Sequence, residues 1–247
     1  MNPVVYSPAF RRLWISSVFN AASFGGDFVL VGWLAHSVTG DAGWTGTAFA
    51  LLFAPMFFLG VPAGTLADRY SRHRLMRLLE LAAGGILLLL ALVFALSEPG
   101  LAHVLIMPLV LGCIRAVQNP VRLSFAVDLA GANNAMGGVA GVSLGTRVGM
   151  IIGALSAGTL AQNLGINGAL AVMALAHGAA WFCLGRRAPV SSAQVIDRKP
   201  FLANLRESGA ELKSNQLLLA LVLVTAVVEV FGTSFSTLVP RLSEDRL

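Results

Sequence analysis

Seven times along this sequence a stretch of about twenty mostly apolar residues passes with few or no charges inside it. The stretches are 13–35, 45–67, 78–96, 101–123, 135–160, 166–184 and 217–239. About twenty such residues, coiled as an α-helix, cross a hydrocarbon core of roughly 30 Å. Lipid offers no partner to backbone N–H and C=O groups, so only helices and closed β-barrels can span it. The runs show no period-two alternation, which removes the barrel. With 56% hydrophobic and 12% charged residues, the chain also lacks the polar surface of a water-soluble domain. The expected fold is an all-α membrane protein. Its first run is longer than a signal-peptide core of roughly 7–15 residues and is followed by no clean cleavage pattern, so it reads as a retained helix.

The basic residues set the expected orientation. Arg11 and Arg12 precede the first run, Arg69, Arg72, Arg74 and Arg77 surround the second connection, and Arg122 closes the fourth run. Arg186, Arg187, Arg198, Lys199, Arg206 and Lys213 fill the connection before the seventh. All fall on one side of the membrane, whereas 36–44, 97–100 and 161–165 hold no Lys or Arg. The bias of positive charge toward the cytoplasm places the N-terminus there. The chain divides into a six-helix bundle over 1–185, a cytoplasmic linker over 186–216 and a seventh helix within 217–247. Phe201, Leu205 and Leu212 in the linker suggest an amphipathic helix on the membrane surface.

An ionisable side chain near the bilayer centre costs about 2.5–3.5 kcal/mol on insertion scales, so each one asks for a reason. Asp27, Arg115, Arg147 and Glu229 are such residues. At 100° per residue, Ser16, Asn20 and Ser23 share the face of Asp27. Asn119 and Arg122 share the face of Arg115, with Gln118 at its flank, and Thr225, Thr233 and Ser236 share that of Glu229. Three polar stripes on helices one, four and seven point to a common cavity lined by Asp27, Asn20, Arg115, Gln118, Arg147 and Glu229. The alternative is that each charge braces the bundle, for instance Asp27 against Arg115. Glu80 reads as a partner for Arg77, near the end of helix three.

In the fifth run Gly137, Gly141, Gly145, Gly149 and Gly153 recur every fourth residue. Such a ridge without side chains lets another helix approach closely. Arg147 points away from it by helical phase.

Several function classes drop out. Basic residues sit between apolar runs and do not interleave with aromatics, so no nucleic-acid surface is expected. His36, His103 and His177 lack metal-ligand spacing and take no role, and neither metal nor cofactor is expected. The two lysines, Lys199 and Lys213, form no phosphate-binding loop and lie in no span, which excludes an ATPase module and a retinal Schiff base. No enzyme is indicated.

The second connection reads Gly64-Thr65-Leu66-Ala67-Asp68-Arg69-Tyr70-Ser71-Arg72-His73-Arg74. This resembles the signature between helices two and three of the major facilitator superfamily, G-x-L-x-D-R-x-G-R-[RK]. Ser71 stands where the pattern has Gly, and His73 where it has Lys or Arg. Arg115-Ala116-Val117-Gln118 resembles that family's R-x-x-Q element in helix four, and the glycine ladder resembles its antiporter motif without the Gly-Pro pair. Gly25-Gly26-Asp27 and Leu205-Arg206-Glu207-Ser208-Gly209 are similar to the drug and siderophore exporter branch, nearest the enterobactin-exporter and macrolide-efflux groups.

The resemblance implies a secondary active transporter of a plasma membrane, the bacterial inner membrane. It would export small amphiphilic molecules in exchange for protons by alternating access. Asp27 would carry the proton, and Arg115 would compete for its carboxylate or hold an anionic cargo. Asp68, Arg69 and Arg72 would form a latch with Asp128. The family plan has twelve helices in two six-helix halves, which implies an incomplete chain awaiting its C-terminal half. The other expectations are a truncated half-transporter inactive alone, or a seven-helix receptor.

Overall fold

In a computed structural model, residues 7–185 are described, with 214–217, 219–221, 223–224 and 227–228 beyond them; for 60–69 and 132 only the backbone is described. The linker's proposed amphipathic helix, Glu229 and most of the seventh helix lie outside the described residues, as do the side chains of Gly64, Asp68 and Arg69. The described residues of 216–228 are helical.

The chain forms α1 (Pro8–Thr39), α2 (Ala42–Arg69), α3 (Arg72–Leu96), α4 (Leu101–Ala130) and α5 (Ala135–Leu184), with a short 3-10 turn at Ala132–Asn134. All five helices are long and apolar enough to cross a membrane. Helix α1 starts where Pro8 takes the first-turn position and the Ser7 hydroxyl accepts the Phe10 N–H at 3.2 Å. It stops at Gly40, whose φ of 63° lets its N–H turn back to the His36 carbonyl.

Helix α5 contains 50 residues, about 75 Å if straight, more than twice the hydrocarbon thickness. Gly165 breaks it at φ 72°, ψ 175°, a backbone conformation that a side chain would strain. The packing of the two arms shows that the chain reverses there. In the first arm Gly145 meets Trp14, Gly149 meets Val18 and Gly153 meets Ala22, so this arm runs parallel to α1. In the second arm Met173 meets Gly26 and Gly185 meets Arg12, so that arm runs antiparallel to α1. The arms are two crossings, matching the separate runs 135–160 and 166–184 of the sequence reading, and the described bundle crosses six times.

Helix α1 lies almost backbone to backbone on the first arm of α5. A Cβ at Gly153 or Gly149 would collide with the carbonyl oxygen of Ala22 or Val18, and one at Gly25 with that of Met150. Gly141 faces the Phe10 ring. Lipid supplies no hydrophobic drive between helices, so such close van der Waals contact and interhelical hydrogen bonds hold them together. Leu88, Leu92, Ile151 and Leu155 are exposed on the outside, where acyl chains would cover them.

The interior is layered along the bundle axis. At the end carrying the N-terminus, Phe10, Leu13, Leu75, Met76, Val121, Phe125 and Leu184 form one apolar cluster. At the other end Leu30, Leu34, Leu52, Leu87, Met107, Leu111 and Leu170 belong to a larger one. Between the two lie Ser16, Ser17, Asn20, Ser23, Asp27, Glu80, Arg115, Gln118, Arg122 and His177, all buried.

Candidate functional site

Three helices and the second arm of α5 bring their polar stripes into this middle zone as two layers. On α1, Asn20 and Asp27 are seven residues apart, and on α4 Arg115 and Arg122 have the same spacing. Seven residues make about two turns and roughly 10 Å of rise, returning to nearly the same face. The helices are antiparallel, so Arg115 meets Asp27 in one layer while Arg122 reaches the level of Ser17 and Asn20 in the other.

In the first layer Arg115 Nη2 donates to Asp27 Oδ2 at 2.6 Å. The Asp27 side chain is fully buried and that of Arg115 is 10% exposed. The guanidinium also lies over the Phe24 ring, 4.2 Å from its centroid, a contact that helps hold a cation out of water. The pair is under-bonded. Asp27 Oδ1 and Arg115 Nε are buried with no hydrogen-bond partner, as are the hydroxyls of Ser16 and Ser23 on the same stripe of α1.

The second layer is saturated. Arg122 Nη2 donates to Glu80 Oε1. Asn20 Nδ2 lies 3.1 Å from each Glu80 oxygen, and His177 Nδ1 lies 2.7 Å from Oε2. Gln118 ties the layer to the backbone, accepting from Asn20 at 3.3 Å and donating to the Leu79 carbonyl at 3.3 Å. Arg122 Nη1 donates to Ser17 Oγ at 2.9 Å. A carboxylate with a cation and several N–H donors on its two oxygens can keep its charge in a dry interior, because its lone pairs are occupied.

A third group sits at the bundle end. Arg72 pairs with Asp128 and donates to the Ser124 carbonyl at 3.3 Å. His73 Nε2 lies 3.2 Å from the Leu184 carbonyl, binding the start of α3 to the end of α5. Between α2 and α3 only Tyr70 and Ser71 intervene. Ser71 adopts φ −57°, so glycine's freedom is not needed where the family pattern has Gly. Arg74 is exposed on the first turn of α3.

The structure therefore assembles Asn20, Asp27, Arg115 and Gln118 in one zone and leaves Arg147 apart, exposed on the face of α5 turned from α1. Two readings need correction. Glu80 pairs with Arg122 and His177, not with Arg77, whose guanidinium lies over the Trp181 ring, 4.5 Å from its centroid. His177, given no role from spacing, is a buried partner of Glu80. Glu80 and His177 are 97 residues apart, so local spacing carried no trace of the pair. The signal available was Glu80 itself, an acid more than two turns inside an apolar helix.

Six apolar crossings around a charged interior define an all-α integral membrane protein. The chain matches the Major Facilitator Superfamily over residues 13–246, and it belongs to that family. Members of the family are transporters, not enzymes. A comparison with curated proteins gives no match.

Proposed function

We propose that this protein works as a proton-coupled exporter of small amphiphilic molecules, drug-like or siderophore-like, by alternating access. The observation that carries the reading is the contrast between the two buried carboxylates. Glu80 has both oxygens occupied by donors, whereas Asp27 has Oδ1 buried and open. An unpartnered carboxylate oxygen in a low-dielectric site favours protonation, and the Arg115 bond opposes it. Asp27 can thus alternate between an ion pair and a neutral acid while Glu80 stays fixed. Protonation releases Arg115 from its partner and changes what α1 and α4 hold between them.

Asn20, Gln118 and Arg115 line the same zone as Asp27, whereas Arg147 stands apart from it and takes no part in this route. Transport by this route requires that second bundle opposite the six described crossings. Asp68, Arg69 and Arg72, with Asp128, act as the latch at the cytoplasmic end, with the N-terminus on the same side. The resemblance to the exporter branch and the glycine ladder supports outward transport against proton entry.

The test is gradient-driven efflux. Full-length protein in inverted vesicles is given an imposed proton gradient and a panel of amphiphilic fluorescent dyes. Asp27→Asn is expected to abolish the gradient dependence while the protein still inserts. Efflux by that variant as strongly coupled as wild type removes Asp27 from the mechanism.

A further inference from the structure

Glu80 and His177 are left over by the scheme above, yet they lie in the same buried zone. Antiparallel packing fixes their level. Met173 touches Gly26, so His177, one turn later in the second arm of α5, comes about level with residues 22 and 23 of α1. That is between Asp27 and Asn20. His177 Nδ1 lies 2.7 Å from Glu80 Oε2 in the second layer, and the Asp27–Arg115 pair lies one layer away along α1.

The chemistry of the ring follows from its partners. Glu80 takes Arg122 on Oε1 and Asn20 on both oxygens, so it is an ionised acceptor. His177 Nδ1 therefore carries the hydrogen of its 2.7 Å bond to Oε2. Nε2 is then the basic nitrogen, and it makes no hydrogen bond among the described residues. Ser23, one turn from Asp27 on the same buried stripe, has a hydroxyl without a partner, as does Asp27 at Oδ1. A carboxylate oxygen, a hydroxyl and an imidazole thus fall along one short stretch of the interior, the first two buried and without a well-formed hydrogen bond.

We propose that His177 is the proton acceptor for Asp27, reached through the Ser23 hydroxyl and held in place by Glu80. The protonated Asp27 carboxyl gives its proton to Ser23 Oγ as the Ser23 proton passes to His177 Nε2. Asp27 becomes a carboxylate again and recovers its bond to Arg115. The imidazolium faces Glu80, which orients the ring and stabilises the cation without taking a proton itself, as the carboxylate of a catalytic triad does. The charged groups around the ring are Glu80 from α3, Arg122 and Arg115 from α4, and Asp27 from α1. The transfer leaves the net charge of this set unchanged: it creates a carboxylate and an imidazolium together, the first paired with Arg115 and the second with Glu80. Return of the Nε2 proton to water when the bundle opens at that end completes the path.

The proposal rests on Asp27 being the proton carrier, and the test separates the two claims. Full-length protein in vesicles is subjected to a pH jump, and the carboxylic-acid C=O band of Asp27, assigned by its loss in Asp27→Asn, is followed by time-resolved infrared spectroscopy. His177→Gln keeps an N–H for Glu80, so a bracing contact survives while the proton site is lost. It is expected to slow the change of the Asp27 band by about tenfold or more, in line with loss of a positioned general base, with unfolding temperature near wild type. Ser23→Ala is expected to slow it as well, and Ser23→Thr, which keeps the hydroxyl, to restore it. Wild-type kinetics within about twofold in His177→Gln and Ser23→Ala overturn the relay and leave Asp27 as carrier. If Asp27→Asn removes no pH-sensitive band, the proton-carrier reading falls and the relay with it.

Discussion

Asp27 and Glu80 are chemically near-identical acids in one dry interior, and their surroundings separate their roles. Glu80 is held by Arg122, His177 and Asn20, so it behaves as a fixed charge that joins α3 to α1, α4 and α5. Removing it strands a buried guanidinium beside an imidazole. Breaking a buried pair from one side costs about 3–5 kcal/mol, so Glu80→Ala is expected to lower the unfolding temperature of the detergent-solubilised protein severely. Glu80→Gln, which keeps an acceptor, is expected to lower it less. A Glu80→Ala protein as stable as wild type contradicts the bracing role. At this scale the sequence was only half legible. Helical phase put Ser16, Asn20, Ser23 and Asp27 on one stripe, and the structure buries all four. It could not pair Glu80 with Arg122 or His177, because such partners are chosen by the packing of distant helices and not by neighbours in the chain.

Helices in lipid are held by how closely they can approach, and here that distance is set by glycine. Gly149 and Gly153 sit where α1 presents the carbonyls of Val18 and Ala22, with no room for a Cβ. Gly158 belongs to the same helix but has nothing within 4 Å of where its Cβ would be. Gly153→Leu is expected to cost at least about 1–3 kcal/mol through overpacking, and to separate α1 from α5. Gly158→Ala, which lies outside that contact, is expected to be neutral or mildly stabilising, since Ala exceeds Gly in helix propensity by about 1 kcal/mol. Thermal unfolding of the two variants checks this; equal effects would mean the ladder has no special packing role. The four-residue glycine period was plain in the sequence, but the partner helix was not. The reversal at Gly165 was visible in the sequence only as a gap between two apolar runs; in the structure it is a single non-helical residue, φ 72°, ψ 175°, between two helical arms.

Among the described residues, Asp27, Glu80, Arg115 and Arg122 are buried inside the bundle, Arg147 is exposed, and leucines such as Leu88, Leu92 and Leu155 face outward. Two apolar clusters cap a polar middle, so an ion or proton in that middle meets water only if the bundle or a facing partner moves. That apolar runs mark spanning helices was legible because a hydrocarbon slab imposes length on every run, but their limits were not: α1 begins at Pro8 and α4 continues to Ala130, beyond the runs 13–35 and 101–123. The helix order places Arg11, Arg12, Arg72 and Arg74 at the bundle end opposite Gly40, Gly100 and Gly165. What cargo the cavity accepts was not legible, because fold alone does not set specificity. The proposed exporter role has Asp27 exchange a proton as cargo is moved, and one titration tests this most directly. A dye identified as cargo in the efflux panel is added to purified full-length protein in weakly buffered detergent solution, and the released protons are counted with a pH indicator. Wild-type protein is expected to release protons on binding and Asp27→Asn to release none while still binding the dye; release from Asp27→Asn equal to wild type would contradict the account.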